Sequence, residues 1–271
     1  MALELGLAGR TALITGGSKG IGRAIARGLA RQGVNIALLA RGQELLDKTA
    51  EEIRTESSVK VLATVADITK ADQVDASAVA VKDTFGTVHI VVNNAGGPMR
   101  RMDRQILWPD SDWIGDLDNK ILGALRVTRA YLPLMPGDGT GRIINISGTA
   151  STIVWAPALT HGLNNAAMNQ ATGYLAADLA SQQITVNTVV PGLVGTEGRE
   201  VWAENMAKQQ NVTKEAFVSS FCKRMGILAG RWATMDEVAD TVVFLASDRA
   251  RYFNGSKIIL DGGLNVNARP A

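Results

Sequence analysis

The stretch Thr15-Gly16-Gly17-Ser18-Lys19-Gly20-Ile21-Gly22 combines residue types and spacing that suit phosphate binding. A short apolar run, Thr11–Thr15, feeds into it, and a segment of helical spacing, Ile21–Gln32, leaves it. Glycines permit a tight turn and a close approach of backbone to a pyrophosphate. The start of the following helix aims N–H groups and the positive end of its dipole at the same anion. A glycine cluster alone says little, but one between the first strand and a helix points to a dinucleotide. The next apolar run, Val34–Ala40, ends in Ala40-Arg41-Gly42, with no acid to bind adenosine ribose hydroxyls. Arg41 and Lys19 are instead two cations where a 2′-phosphate would sit, which favours NADP(H) over NAD(H).

The elements that must position this turn alternate along the chain. Apolar strand-like runs are expected at Thr11–Thr15, Val34–Ala40, Val59–Val65, Val88–Val92, Arg142–Ile146, Ile184–Val190 and Ser256–Leu260. Between them lie helical segments at Ile21–Gln32, Gln43–Thr55, Lys70–Phe85, from about 112 to Leu134, Leu159–Ser181 and Met235–Ala246, with an irregular helical region over 197–229. Short strands alternating with amphipathic helices, and no linker, predict an α/β fold. Residues 1–271 should form a single Rossmann-type doubly wound domain, a seven-stranded parallel sheet with helices on both faces.

Further landmarks join the glycine turn: Ala66-Asp67-Ile68-Thr69, Asn93-Asn94-Ala95-Gly96, Gly141-Arg142-Ile143-Ile144-Asn145-Ile146-Ser147, Pro191-Gly192 with Thr196 after it, and Leu260-Asp261-Gly262-Gly263. Together they resemble the short-chain dehydrogenase/reductase family over nearly the whole chain, in particular its members similar to 3-oxoacyl-acyl-carrier-protein reductase. The resemblance implies that Gly16, Ser18, Lys19, Gly20, Ile21 and Gly22 wrap the diphosphate and that Asp67 and Ile68 contact adenine. It implies that Asn93, Ala95 and Gly96 line the floor near the ribose, and that Pro191, Gly192, Val194 and Thr196 hold the nicotinamide end. Residues 197–232 would be a substrate lid, carrying Trp202, Met206, Phe217, Phe221 and Trp232. These rings suit either an apolar substrate or ordinary helix packing.

Members of that family catalyse with an asparagine, a serine, a tyrosine and a lysine, and here all four positions are altered. The asparagine position, three residues before Gly123, falls on Lys120, with Asn119 one residue earlier. The serine position falls on Gly148, with Ser147 one residue earlier. The tyrosine position falls on His161, and the lysine position, four residues on along the same helix face, falls on Asn165. Asparagine has thus become lysine at 120 and lysine has become asparagine at 165. Either the exchange keeps one cation and one amide in a rebuilt relay, or the site has drifted. Histidine, with an unperturbed pKa of about 6.5, transfers protons near neutrality without a cation to help it, whereas tyrosine at about 10 needs that help. His161, Lys120, Asn165 and Ser147 are therefore the candidate catalytic residues, and Asn165 also a cofactor contact.

Net charge is +2, which gives no sign of a nucleic-acid partner, and no apolar stretch reaches membrane-spanning length. The lone cysteine, Cys222, and the absence of a signal-like N-terminus fit the cytoplasm. No cluster has metal-ligand spacing. The basic run Arg100-Arg101-Met102-Asp103-Arg104 suits an anionic substrate or a solvated face. The resemblance implies a homo-oligomer, a dimer or tetramer, built on helices 112–134 and 159–181. The expected activity is oxidoreduction of a small-molecule carbonyl or secondary alcohol. The alternatives are a non-redox cyclase, isomerase or lyase on the same fold, or a silent nucleotide-binding protein.

Overall fold

Seven apolar runs become seven strands: β1 Thr11–Thr15, β2 Asn35–Ala40, β3 Val61–Val65, β4 Ile90–Asn93, β5 Arg142–Ile146, β6 Thr185–Pro191 and β7 Lys257–Leu260. They form one parallel sheet in the order β3-β2-β1-β4-β5-β6-β7. This computed structural model describes residues 4–96 and 104–266, so of the basic run at 100–104 only Arg104 lies among the described residues. The chain leaves the β3 edge and re-enters beside β1 as β4. That places a topological switch at the carboxyl ends of β1 and β4, where open α/β sheets bind ligands.

Parallel strands need crossovers, and α1 Gly20–Ala30, α2 Gln43–Glu56, α3 Ala71–Phe85, α4 Asp110–Leu117, α5 Gly123–Tyr131, α6 Leu159–Asp178 and α9 Met235–Ala246 supply them. Side chains alternate across each strand, so the sheet has two apolar faces. Ala12, Ile14, Ile36 and Leu38 pack under Ile25 and Leu29 of α1 and Val238 and Val242 of α9. Leu13, Ala37, Val91, Ile143 and Val186 pack under Val74 and Val81 of α3, Val127 and Tyr131 of α5 and Ala176 of α6.

Two helical regions differ in detail from the expectation. The helix running to Leu134 is broken by a π-helical turn, Asp118–Leu122, between α4 and α5. Such a turn holds an extra residue and re-aims its side chains, and it commonly marks a functional site. The region 197–229 resolves into α7 Glu197–Gln209 and α8 Lys214–Met225. They are separated at Asn211, whose φ is +53°, and restarted by the Thr213 hydroxyl, which accepts from the Ala216 N–H.

The start of α9 is fixed locally. The Thr234 hydroxyl accepts from the Glu237 N–H at 3.1 Å, and the Glu237 carboxylate accepts from the Thr234 N–H at 2.8 Å. This capping box closes α9, which packs along α1. Thr234→Ala is expected to cost about 1 kcal/mol of unfolding free energy, read as a lower urea midpoint with an unchanged slope.

Candidate active site

The glycine turn is shaped by what it has no room for. Gly16 has φ +66°, and a Cβ on Gly22 would lie 2.2 Å from the Gly16 carbonyl oxygen, so any side chain there would displace the turn. Thr15 at the end of β1 and Asn94 just after β4 brace it. The Thr15 hydroxyl accepts from the N–H groups of Asn94 and Ala95, and the Asn94 amide donates to the Thr15 carbonyl at 2.9 Å. From the other side the Thr49 hydroxyl donates to the Ser18 carbonyl. Lys19 caps α1 in extended conformation without using its side chain, so the first N–H groups of α1, from Gly20, Ile21 and Gly22, have no side-chain cap. That is a cradle suited to an anion.

Farther along the groove, Arg41 and Lys19 are exposed. The Asp67 carboxylate accepts from the Thr69 N–H and hydroxyl, next to Ile68. Burial alone would raise its pKa, but the Thr69 donors and the charges of Arg41 and Lys70 hold it below the usual carboxylate value. Asn93 is committed inward. Its amide donates to Thr128 and to Asn145, which donates to Thr172, in a buried polar ladder joining β4, β5 and α6. Its side chain is thus committed to the interior, beneath Ala95 and Gly96.

Lys120 sits in the π-turn and reaches into the end of the sheet. Its ammonium donates to the Ile146 carbonyl at 2.7 Å, and its Nζ lies 3.1 Å from where a Cβ on Gly96 would be. Gly123 sets the register. A Cβ there would meet Ile68 Cδ1 at 2.6 Å, so the helix lies flat on Ile68 and turns Lys120 toward β4 and β5. Among the described residues no acid offsets the burial of the ammonium, and its pKa is pushed down to about 8.

The first turn of α6 places His161 beside it. Ala158 offers no side-chain cap, so the Thr160 N–H takes the Gln105 amide oxygen at 2.9 Å, and the Thr160 hydroxyl donates to Asp116 of α4. Burial, then the charges of Lys120 and Arg199, outweigh Asp116 and lower the His161 pKa to about 4. The imidazole is therefore neutral near pH 7. The premise that made His161 the natural proton carrier, an unperturbed pKa, does not hold in this setting.

Asn165 is fully buried. Its Nδ2 donates to the His161 carbonyl one turn back, and its Oδ1 has no partner. The amide lies against Gly148, whose missing Cβ would be 3.3 Å from Nδ2. Ser147 is turned away from this group: its hydroxyl donates to Asn169 of α6 at 2.7 Å. Strand alternation explains this, since Asn145 and Ser147 share a face and meet Thr172 and Asn169, one turn apart on α6. The expected orienting hydroxyl is thus spent inside the fold. Tyr174 stands 72% exposed on the outer side of α6 and His89 accepts from the Thr11 N–H, so neither joins the site.

The Gly192 N–H extends the β6–β7 ladder to Leu260. Val194 is buried and bridges to Ala233, and Thr196 caps α7. The lid rings pack on one another: Trp202 contacts Phe217, Phe221 and Trp232 at centroid distances of 5.4, 5.4 and 6.2 Å. They form a small core with Ala203, Ala207 and Cys222, so helix packing accounts for them. Arg199, which the sequence did not single out, lies over the Trp232 ring at 5.6 Å. Its one sequence signal was position, three residues after Thr196 at the start of the lid.

Comparison with known proteins agrees with this fold. Residues 16–265 match the family model described as enoyl-(acyl carrier protein) reductase. Oxidoreductase UcpA of Salmonella typhimurium is 36% identical over 259 residues, 95% of each chain. The 3-oxoacyl-[acyl-carrier-protein] reductase FabG of Staphylococcus aureus is 31% identical over 256 residues, 94% of this chain and 98% of its own. The structure of L-sorbose reductase from Gluconobacter frateurii, complexed with NADPH and L-sorbose, superposes with a TM-score of 0.90 at 30% identity, covering 97% of this chain and 99% of that one. With the seven-stranded order, the glycine turn and the Asn-Asn-Ala-Gly stretch after β4 in place, the chain belongs to the short-chain dehydrogenase/reductase family.

Proposed function

We propose that this chain is an NADP(H)-dependent oxidoreductase that interconverts a carbonyl and a secondary alcohol, and that Lys120 carries the proton which a tyrosine carries elsewhere in the family. The observation behind this reading is the Lys120 ammonium, enclosed at the carboxyl end of the sheet, bonded to Ile146 and lowered to about 8. A proton carrier works best with a pKa near the working pH, and Lys120 meets that condition where His161 at about 4 does not.

The residues fit the cofactor. The side-chain-free cradle at Gly16 and Gly22 suits a diphosphate, and the buried, unpartnered Asn165 Oδ1 is an acceptor waiting for a hydroxyl such as that of a ribose. When bound, the dihydronicotinamide supplies a hydride to the carbonyl carbon. In reduction, Lys120 Nζ gives its proton to the carbonyl oxygen and becomes the neutral amine, which solvent reprotonates. His161, neutral at that pH, orients the oxygen, and Asn165 holds the His161 turn through its i−4 bond. The test is NADPH fluorescence on mixing, followed by absorbance at the nicotinamide band with a panel of ketones and aldehydes. Enhanced fluorescence and carbonyl-dependent oxidation are expected. Absence of binding contradicts the reading.

His161→Ala should lower kcat/KM yet leave a pH inflection near 8 in place. If that inflection disappears with the imidazole, the proton assignment moves to His161. Arg41→Glu should reduce the preference for NADPH over NADH by about ten- to a hundredfold, the worth of one charge-assisted contact, measured as a ratio of dissociation constants. An unchanged ratio would place the 2′-phosphate elsewhere.

The molecule is further proposed to be a cytoplasmic homo-oligomer, a dimer or tetramer. The exposed apolar side chains Ile114, Leu117, Leu122 and Leu163 on the α4–α6 surface support self-association. Light scattering is expected to give a multiple of the chain mass. No helix among the described residues is long and apolar enough to cross a membrane.

A further inference from the structure

The lid holds a cation that the fold itself does not use. The guanidinium of Arg199, in the first turn of α7, makes no hydrogen bond or ion pair among the described residues, and its Nε is buried without a partner. The guanidinium lies over Trp232, which is only 6% exposed and whose indole Nε1–H is also buried and unpartnered. Leaving a half-buried guanidinium unpaired and a buried indole donor idle is costly, more so for the charged group. Three other cations of the lid and α1 have acid partners: Lys214 pairs with Glu200, Arg231 with Glu237 and Arg23 with Glu197. The Arg199 guanidinium has no such acid, and its charge is felt at His161 together with that of Lys120.

Two adjacent unused donors, one of them a cation, beside the proton-handling group define a receptor for an anion. From these observations we infer that the substrate carries a carboxylate, which Arg199 and the Trp232 indole N–H receive while Lys120 serves the reacting carbonyl. The inference rests on the reading of Lys120 and His161 as the reacting centre. A carboxylate fits because the planar fork of the guanidinium matches its two oxygens and stacking on Trp232 fixes the plane of that fork. A phosphate dianion would meet only one committed cation. Arg199 is on this account a specificity-determining residue, and the aromatic lid core is what holds its guanidinium in place.

The test compares matched pairs of ketones, levulinate with 4-oxopentanamide and acetoacetate with acetoacetamide, by kcat/KM with NADPH. Titration calorimetry of pentanoate against pentanamide on the NADPH-bound protein reads binding without turnover. Wild type should favour each acid over its amide by at least tenfold, and Arg199→Met should bring that ratio toward one, with Arg199→Lys between them. The calorimetric ratio should move in the same way. If no ketone is turned over but pentanoate binds through Arg199, the redox reading fails and the carboxylate site stands. Equal handling of acid and amide by wild type overturns the inference. So does an Arg199→Met protein that keeps the acid preference, or one that loses NADPH affinity by the same factor as pentanoate, which would make Arg199 a cofactor contact.

Discussion

Lys120→Met is expected to lower kcat for carbonyl reduction by about 10²–10⁴-fold, the usual contribution of a positioned acid, while NADPH still binds. The same variant is expected to melt at a higher temperature than wild type. The sign follows from proton linkage. The Lys120 pKa falls from 10.5 to about 8 on folding. Below about 8 both states are protonated, and the native state carries the full cost of an enclosed ammonium. Between about 8 and 10.5 the unfolded chain binds more protons, so wild-type stability rises with pH through that window. Methionine fills the stem without the charge, so it removes the cost at neutral pH. Loss of turnover with gain of stability is what a functional group held against its own solvation produces. A variant that loses both together would indicate a structural lysine.

Gly22→Ala should have an effect of similar size at the cofactor end. Its Cβ would lie 2.2 Å from the Gly16 carbonyl oxygen and 2.6 Å from Asn94 Nδ2, so the turn and its brace must both shift. Diphosphate contacts are charge-assisted, at about 1.5–3 kcal/mol each, so displacing the cradle should weaken NADPH by about a hundredfold or more. The strain should also cost about 1–3 kcal/mol of stability. Gly115→Ala is the control. Its Cβ would have open space in α4, and it should leave NADPH binding unchanged and stabilise slightly through helix propensity. Equal NADPH affinities in the two variants would contradict the placement of the diphosphate at this turn.

The sheet was legible in the sequence because its signals are local. Short continuous apolar runs such as Ile36–Leu39, bounded by glycines and alternating with amphipathic helices, read as strands buried on both faces, and the glycine turn follows the first of them. Gly123, from which the family resemblance counts back to Lys120, is a position where a Cβ would meet Ile68, a contact that only the fold reveals. What was not legible depends on neighbours distant in the chain. The His161 pKa is set by burial and by Lys120, Asp116 and Arg199, from three other elements. The direction of Ser147 needed its alternation with Asn145 to be followed through to α6, where Asn169 and Thr172 wait. The lid aromatics had two readings because hydrophobic content does not say what a ring packs against, and here the rings pack on each other. Arg199 escaped notice because an unpaired cation is recognised only when its surroundings show no acid.

The central claim is that Lys120 gives up the proton, and the pH dependence of single-turnover reduction by the NADPH complex tests it most directly. The account predicts a rate that is level between about pH 5 and 7 and then falls about tenfold per unit above the Lys120 value of about 8, with the fall absent in Lys120→Met. A rate that already declines above the His161 value of about 4, or one that stays level well past 8, would contradict it.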